Sequence, residues 1–245
     1  MAKREKNYTT ILGDPIKTLK TKDPDEGLYD VDRIVDALKK DCSQILRYYK
    51  TQPPLWRGIS LAENENDPLM LKKGHMQDKR DPRDMPEEIH DFINDFMMKK
   101  IKWPIRNGVP VTTQYNQSRS YGVPRMFFPF NGFKFAFIPK VYDLYLKLDM
   151  INHKWTGHIL TNKGTNDFLK SAGAKKEAEK LLSTVETKSW AKHNGEVFFN
   201  TKFYYLYDPM HMGFGIDDKG DPEDRSYIIF QKLGIFKGKP ILKLT

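Results

Sequence analysis

With 245 residues, 39% of them apolar and 13% aromatic, the chain is large enough to bury a core and is too hydrophobic for the disordered class. Its single cysteine, Cys42, excludes an intrachain disulfide and a cysteine-based zinc site. A net charge of +9 favours an anionic partner such as nucleic acid, a phosphate ligand or an acidic protein, and the scattering of the bases describes a basic surface without a dedicated basic arm.

Residues 1–28 are polar and broken by Gly13, Pro15, Pro24 and Gly27, and read as an extended arm. The opening Met1 to Lys6 lacks the apolar segment of a secretory signal. No apolar run approaches the ~18 residues of a membrane span. Such an arm contributes little to a core. Deleting residues 1–25 is therefore expected to leave the thermal midpoint nearly unchanged. A fall of more than about 10 °C in a calorimetric scan would mean that the arm is packed into the fold.

From Asp30, a plausible N-cap, the pattern turns helical for about 20 residues. Val31, Ile34, Val35, Leu38, Cys42, Ile45, Leu46 and Tyr49 share one face. Pro53 and Pro54 stop that helix, and Leu55-Trp56-Arg57-Gly58-Ile59 reads as a strand. An Arg held on a strand offers its planar fork to a phosphate, and Gly58 lets a ligand or another backbone come close. The same residues also suit an ordinary edge strand with a solvated Arg. Residues 61–83 read as a charged loop. Asp84 and Glu87 have capping-box spacing ahead of a second helix through Ile101, with His90 off its apolar face, as a surface residue or one that supports a site from behind, not a catalyst.

Val109 to Thr113 reads as a strand, with Thr112 and Thr113 placing one hydroxyl on each face. Residues 114–122 suggest a helical turn ending at Gly122. Met126 to Phe130 and Phe133 to Ile138 read as strands joined by Asn131-Gly132, a hairpin signal. A short helix is expected around Val141 to Leu148. A longer helical stretch over 163–185 is loosened at Gly173. His153 and His158 stand five apart without a third ligand in reach, so no metal site is expected. Glu196 to Asn200 and Lys202 to Tyr207 read as strands, residues 217–224 as a charged turn, and Ser226 to Phe230 and Pro240 to Leu244 as closing strands. The sum is α+β with a mainly antiparallel sheet and N-terminal helices.

Three pieces carry chemistry in one order: Arg57 on a strand, the Thr112-Thr113 strand with its aromatic turn, and Glu196 opening a late strand. This order resembles the mono-ADP-ribosyltransferases of the Arg–Ser–Glu class, and is most similar to phage-encoded members. Leu55-Trp56-Arg57-Gly58, Asp81-Pro82-Arg83-Asp84-Met85-Pro86 and Asn107-Gly108-Val109-Pro110-Val111-Thr112-Thr113 carry the likeness. Ser120-Tyr121-Gly122, Phe128-Pro129 and Gly132-Phe133-Lys134 fit it too, so that it spans roughly residues 54–207.

The resemblance implies a single domain over residues 29–245, a split β-sandwich whose cleft takes NAD as substrate. It implies Arg57 and Glu196 as catalytic residues. Arg57, Gly58, Thr112, Thr113, Tyr115, Tyr121 and Phe127 would bind NAD, with Asn194 orienting the acceptor. The pattern departs from the family at Val111-Thr112-Thr113, where Ser-Thr-Ser is usual, and at Asn194, where Glu or Gln is usual. The function implied is NAD-dependent transfer of ADP-ribose to a host macromolecule, in the host cytoplasm or the virion. The alternatives are a catalytically inactive virion or assembly protein of the same fold, and a basic nucleic-acid-binding protein. No metal and no membrane enter any of these readings.

Overall fold

Two helices open the described part of the chain, α1 (Val31–Asp41) and α2 (Ser43–Tyr49). The computed structural model describes residues 31–60, 69–74, 85–208 and 229–235. The expected arm, the N-cap at Asp30, the cap at Asp84, the turn at 217–224 and the strand at 240–244 lie outside these residues. The expected apolar face is buried from Ile34 to Tyr49. The single helix expected there is interrupted at Cys42, whose backbone leaves helical geometry (φ −123°, ψ 20°). The ladder nevertheless continues across it, with Cys42 N donating to Leu38 O (3.0 Å) and Leu46 N to Cys42 O (3.2 Å). Asn131, far along the chain, sets the break. Its Oδ1 accepts from Gln44 N (2.8 Å) and its own N donates to Asp41 O (2.8 Å).

α3 (Glu87–Ile101) carries acids in its first turn and lysines in its last, as the helix dipole favours, and ends at Lys102 in the left-handed region (φ 64°). His90, expected either at the surface or as a supporting residue, is only 2% exposed, which removes the surface alternative. Burial holds its pKa below the ordinary histidine value. Beside it, Asn94 donates to Asn107 Oδ1 (2.9 Å) and accepts from Arg106 N (2.9 Å), tying the turn at 105–107 to the helix. These polar groups share one another's hydrogen bonds, which is what allows a polar stripe to be buried.

α4 (Tyr115–Arg119) is the expected helical turn, and α5 (Leu144–Thr156) runs longer than the short helix expected. α6 (Asn162–Lys170) and α7 (Ala172–Leu182) divide at Ser171, not at Gly173. Ser171 Oγ caps α7 by accepting from Ala174 N (3.2 Å). Gly173 sits inside α7 because the Trp155 ring fills its Cβ position, 2.4 Å away. Helices α3, α5, α6 and α7 enclose one core cluster, against Ala136 and Phe198 of the sheet.

Among the described residues, seven strands form one sheet: β1 (Trp56–Ile59), β2 (Leu69–Lys73), β3 (Val109–Thr112), β4 (Val123–Pro129), β5 (Lys134–Ala136), β6 (Glu196–Asn200) and β7 (Phe203–Tyr207). Their order is β2-β7-β4-β1-β3-β6-β5, and every pair is antiparallel. Three expectations are corrected here. The charged loop contains β2, which is laid along the aromatic strand β7 from Leu69↔Tyr207 to Lys73↔Phe203. The Asn131-Gly132 turn joins β4 and β5, but these strands do not pair with each other. Asn131 is committed to α2 instead, and Gly132 supplies the positive φ (85°). Ile229 and Phe230, expected in a strand, lie instead in a helical segment, and the Phe230 ring packs on Tyr207 (6.0 Å).

The sheet is nearly divided. β1 and β3 join through one residue pair, Trp56↔Thr112, leaving β2-β7-β4-β1 on one side and β3-β6-β5 on the other. From Asn200 to Phe203 the chain advances three residues, about 10 Å at most. β6 and β7 stand four places apart in the sheet, about 19 Å if it were flat. The halves must therefore fold toward each other at this end. Phe127 of one half meets Phe199 of the other at 5.1 Å. α2 spans both halves, with Tyr49 on Phe128 (5.5 Å) and Tyr48 on Phe135 (5.5 Å). Trp190, wholly buried, stacks on Tyr48 (5.1 Å) and donates its indole N–H to Pro53 O (3.0 Å).

Candidate functional site

The three chemistry-bearing pieces lie on neighbouring strands at the joint of the half-sheets. Trp56 of β1, Thr112 of β3 and Glu196 of β6 form one row across the sheet. Residues opposite one another in such a row share a face, and the next residue along the strand points the other way. Thr112 and Glu196 are therefore together on one face, and Arg57 is on the other.

Arg57 is half-buried. Its Nη1 donates to Pro110 O across the joint (2.7 Å), and its guanidinium lies over the Tyr204 ring (5.9 Å). The strand holds the fork still, as the sequence suggested, and the hydrogen bond couples the two half-sheets. The neighbouring Arg125, wholly buried, is ion-paired with Asp208 (3.0 Å). Gly58 is required by backbone, not by ligand: a Cβ there would lie 2.2 Å from Ser118 O and 2.8 Å from Tyr121 Cβ. α4 is thereby pressed onto β1, and Tyr115 meets Trp56 edge-on (5.1 Å).

On the other face, Thr112 Oγ1 donates to Gln117 Oε1 and accepts from Gln114 N (3.0 Å). Gln117 reaches on to Tyr142 O (3.1 Å). Thr113 turns to the segment before β6: its Oγ1 donates to His193 O (3.0 Å) and accepts from Gly195 N (3.1 Å), and its N donates to Gly195 O (3.2 Å). Gly195 has φ +156°, and a Cβ on it would lie 2.4 Å from Val141 O. Asn194 Oδ1 accepts from Gln114 Nε2. Asn194 is thus exposed beside Gln114, at the mouth of the joint.

Glu196 is half-buried, and its Oε2 accepts from Leu144 N, the first residue of α5 (3.0 Å). A carboxylate is favoured at a helix N-terminus, where free N–H groups and the dipole converge. Asp143 sits at the same end, with Oδ1 accepting from Leu146 N (2.9 Å) and Oδ2 from the Tyr121 hydroxyl (3.3 Å). Tyr121 and Tyr142 are about half exposed and border this carboxylate pair. Such an arrangement can hold a negative charge beside two exposed aromatic rings, which suits a cationic or oxocarbenium-like centre.

Phe127 does not border this site. It is wholly buried between Phe199 and Tyr204, each at 5.1 Å, and so builds the core between the half-sheets. His158 pairs with Asp167 (2.9 Å). A cavity of about 460 Å³ lined by Gln44, Tyr48, Trp103, Phe133 and Lys134 shares no lining residue with the site. The residues not anticipated are Gln117, Tyr142, Asp143 and His193. Only the Asn194-Gly195 dipeptide hinted at a constrained turn there. No family model matches the chain, and neither does any curated protein or solved structure. Among the described residues, no helix is long and apolar enough to cross a membrane.

Proposed function

We propose that the protein is an NAD-dependent mono-ADP-ribosyltransferase of the phage type, acting on a host macromolecule in the host cytoplasm or from the virion. One observation carries this reading: strands β1, β3 and β6 lie side by side and align Trp56, Thr112 and Glu196 at the joint of a nearly divided sheet. In this reading Glu196 faces the nicotinamide ribose and stabilises positive charge as the glycosidic bond breaks. Arg57 reaches the diphosphate from the opposite face of the joint. Tyr115 and Tyr121 flank the bound dinucleotide, and Asn194 meets the acceptor. The bond broken is nicotinamide to ribose C1′; nicotinamide leaves, and an acceptor nucleophile takes its place and gives up a proton.

A second reading, an inactive virion or assembly protein of this fold, is favoured by the use of Glu196 as a cap for α5 and by the placement of Arg57 on the opposite face. Incubation with NAD labelled in the adenylate half, together with host lysate, distinguishes the two. Label on macromolecules with release of nicotinamide supports the transferase, whereas intact NAD supports the structural protein. Arg57→Ala is expected to weaken NAD binding while the far-ultraviolet circular dichroism is kept. Arg57→Lys should recover little, because the two-pronged fork is lost. Unchanged calorimetric affinity in Arg57→Ala would remove Arg57 from the site.

A further inference from the structure

We infer that His193 is a positioning residue that seats the Glu196 strand at the joint, and that it does so only as the neutral imidazole protonated on Nε2. The catalytic consequence rests on the transferase reading; the positioning itself does not. His193 Nε2 lies 2.9 Å from Glu196 O. A carbonyl oxygen can only accept, so Nε2 carries the proton in this bond. Nδ1 is buried, with no hydrogen-bond partner among the described residues. The ring packs on Phe137 with centroids 4.5 Å apart, and the residue is 7% exposed.

The rest of the turn is locked around this imidazole. His193 N donates to Trp190 O (2.8 Å), His193 O accepts from Thr113, and Gly195 is held by Thr113 and crowded by Val141. Glu196 N donates to Tyr142 O (3.2 Å), and its carboxylate turns away to Leu144 N. Moving Glu196 therefore moves the start of α5. Lys192 and Glu186, the charged residues flanking this turn and its Phe137 neighbour, are both exposed, and what acts on the imidazole is burial and the Glu196 carbonyl. The His193 pKa lies below its ordinary value, first because of burial, with the bond to Glu196 O acting in the opposite direction.

The sign follows from linkage. Above the ordinary histidine pKa, about 6.5, both the seated and the released turn hold neutral imidazole. Below it the released form binds a proton that the seated form resists, so the seated form loses stability as pH falls. Acid should therefore release Glu196.

The experiment follows the imidazole of His193, together with the Leu144 and Glu196 amides, by NMR through a pH titration of the full chain, and measures NAD turnover over the same range. We expect His193 to titrate below the ordinary histidine value and both amides to shift with its midpoint. Turnover should fall on the acid side with that midpoint. In His193→Gln, which keeps a donor near the Nε2 position but does not titrate, this midpoint should vanish from both amides and from the rate. His193→Phe should lose about ten- to a hundredfold in turnover at every pH, as expected for a displaced reacting group. Amides that ignore the titration of His193, or an acid limb unchanged in His193→Gln, would overturn the inference. Absence of NAD turnover in the wild type would sink the transferase reading alone, since the amide titration still decides the positioning.

Discussion

Glu196→Gln should lower NAD turnover by about a hundredfold or more, the scale of a lost electrostatic stabiliser, while NAD affinity changes little. Glutamine keeps the size of the side chain and an oxygen for Leu144 N, so α5 keeps its cap. What disappears is the negative charge. That charge matters most as the ribose becomes cationic, and much less in the bound ground state. Turnover measured by nicotinamide release, with binding followed by calorimetry, separates the two effects. An undiminished rate in Glu196→Gln would place the catalytic carboxylate elsewhere. Asp143, at the same helix end, would then be the next residue to change.

The largest stability effect is expected from Asp208→Ala. Arg125 is wholly buried, and Asp208 is its carboxylate partner at 3.0 Å. Removing one member of a buried ion pair costs about 3–5 kcal/mol, because the guanidinium loses this carboxylate in a poorly polarisable interior. That is a large fraction of the ~5–15 kcal/mol of a typical domain. Urea denaturation should show a much lower midpoint. The double substitution Arg125→Met with Asp208→Leu should recover most of it, because burying the pair was itself costly. A single variant as stable as the wild type would mean that Arg125 finds another anion.

Much of the fold can be read along the chain. The apolar face from Ile34 to Tyr49, the α3 helix and the aromatic strands β4, β6 and β7 follow from local period and composition. β2 does not, because Leu-Met-Leu-Lys-Lys has little intrinsic strand preference, and its pairing with β7 supplies what the segment lacks. Asn131-Gly132 made a turn, as such a dipeptide does. Which strands the turn would join depended on partners that the two residues do not encode. His90 and Phe127 show the same limit. The period of α3 could not foresee a buried Asn94–Asn107 contact, and nothing local marked Phe127 as core rather than wall.

Arg57, Thr112, Thr113, Asn194 and Glu196 were legible from the sequence as residue types in a given order. Local steric and hydrophobic preferences act over a few residues, so the sequence by itself determined most of the segments that would be helix or strand, β2 and the helical segment at Ile229 and Phe230 excepted, and which side chains could carry charge. Tertiary structure alone decided that β1, β3 and β6 are neighbours, that Arg57 faces away from Thr112 and Glu196, and that His193 bonds to the Glu196 carbonyl. The physical reason is that strand pairing is a contact between distant segments. The backbone hydrogen bonds that make it are the same for every residue type, so register and facing emerge only when whole half-sheets pack against their helices.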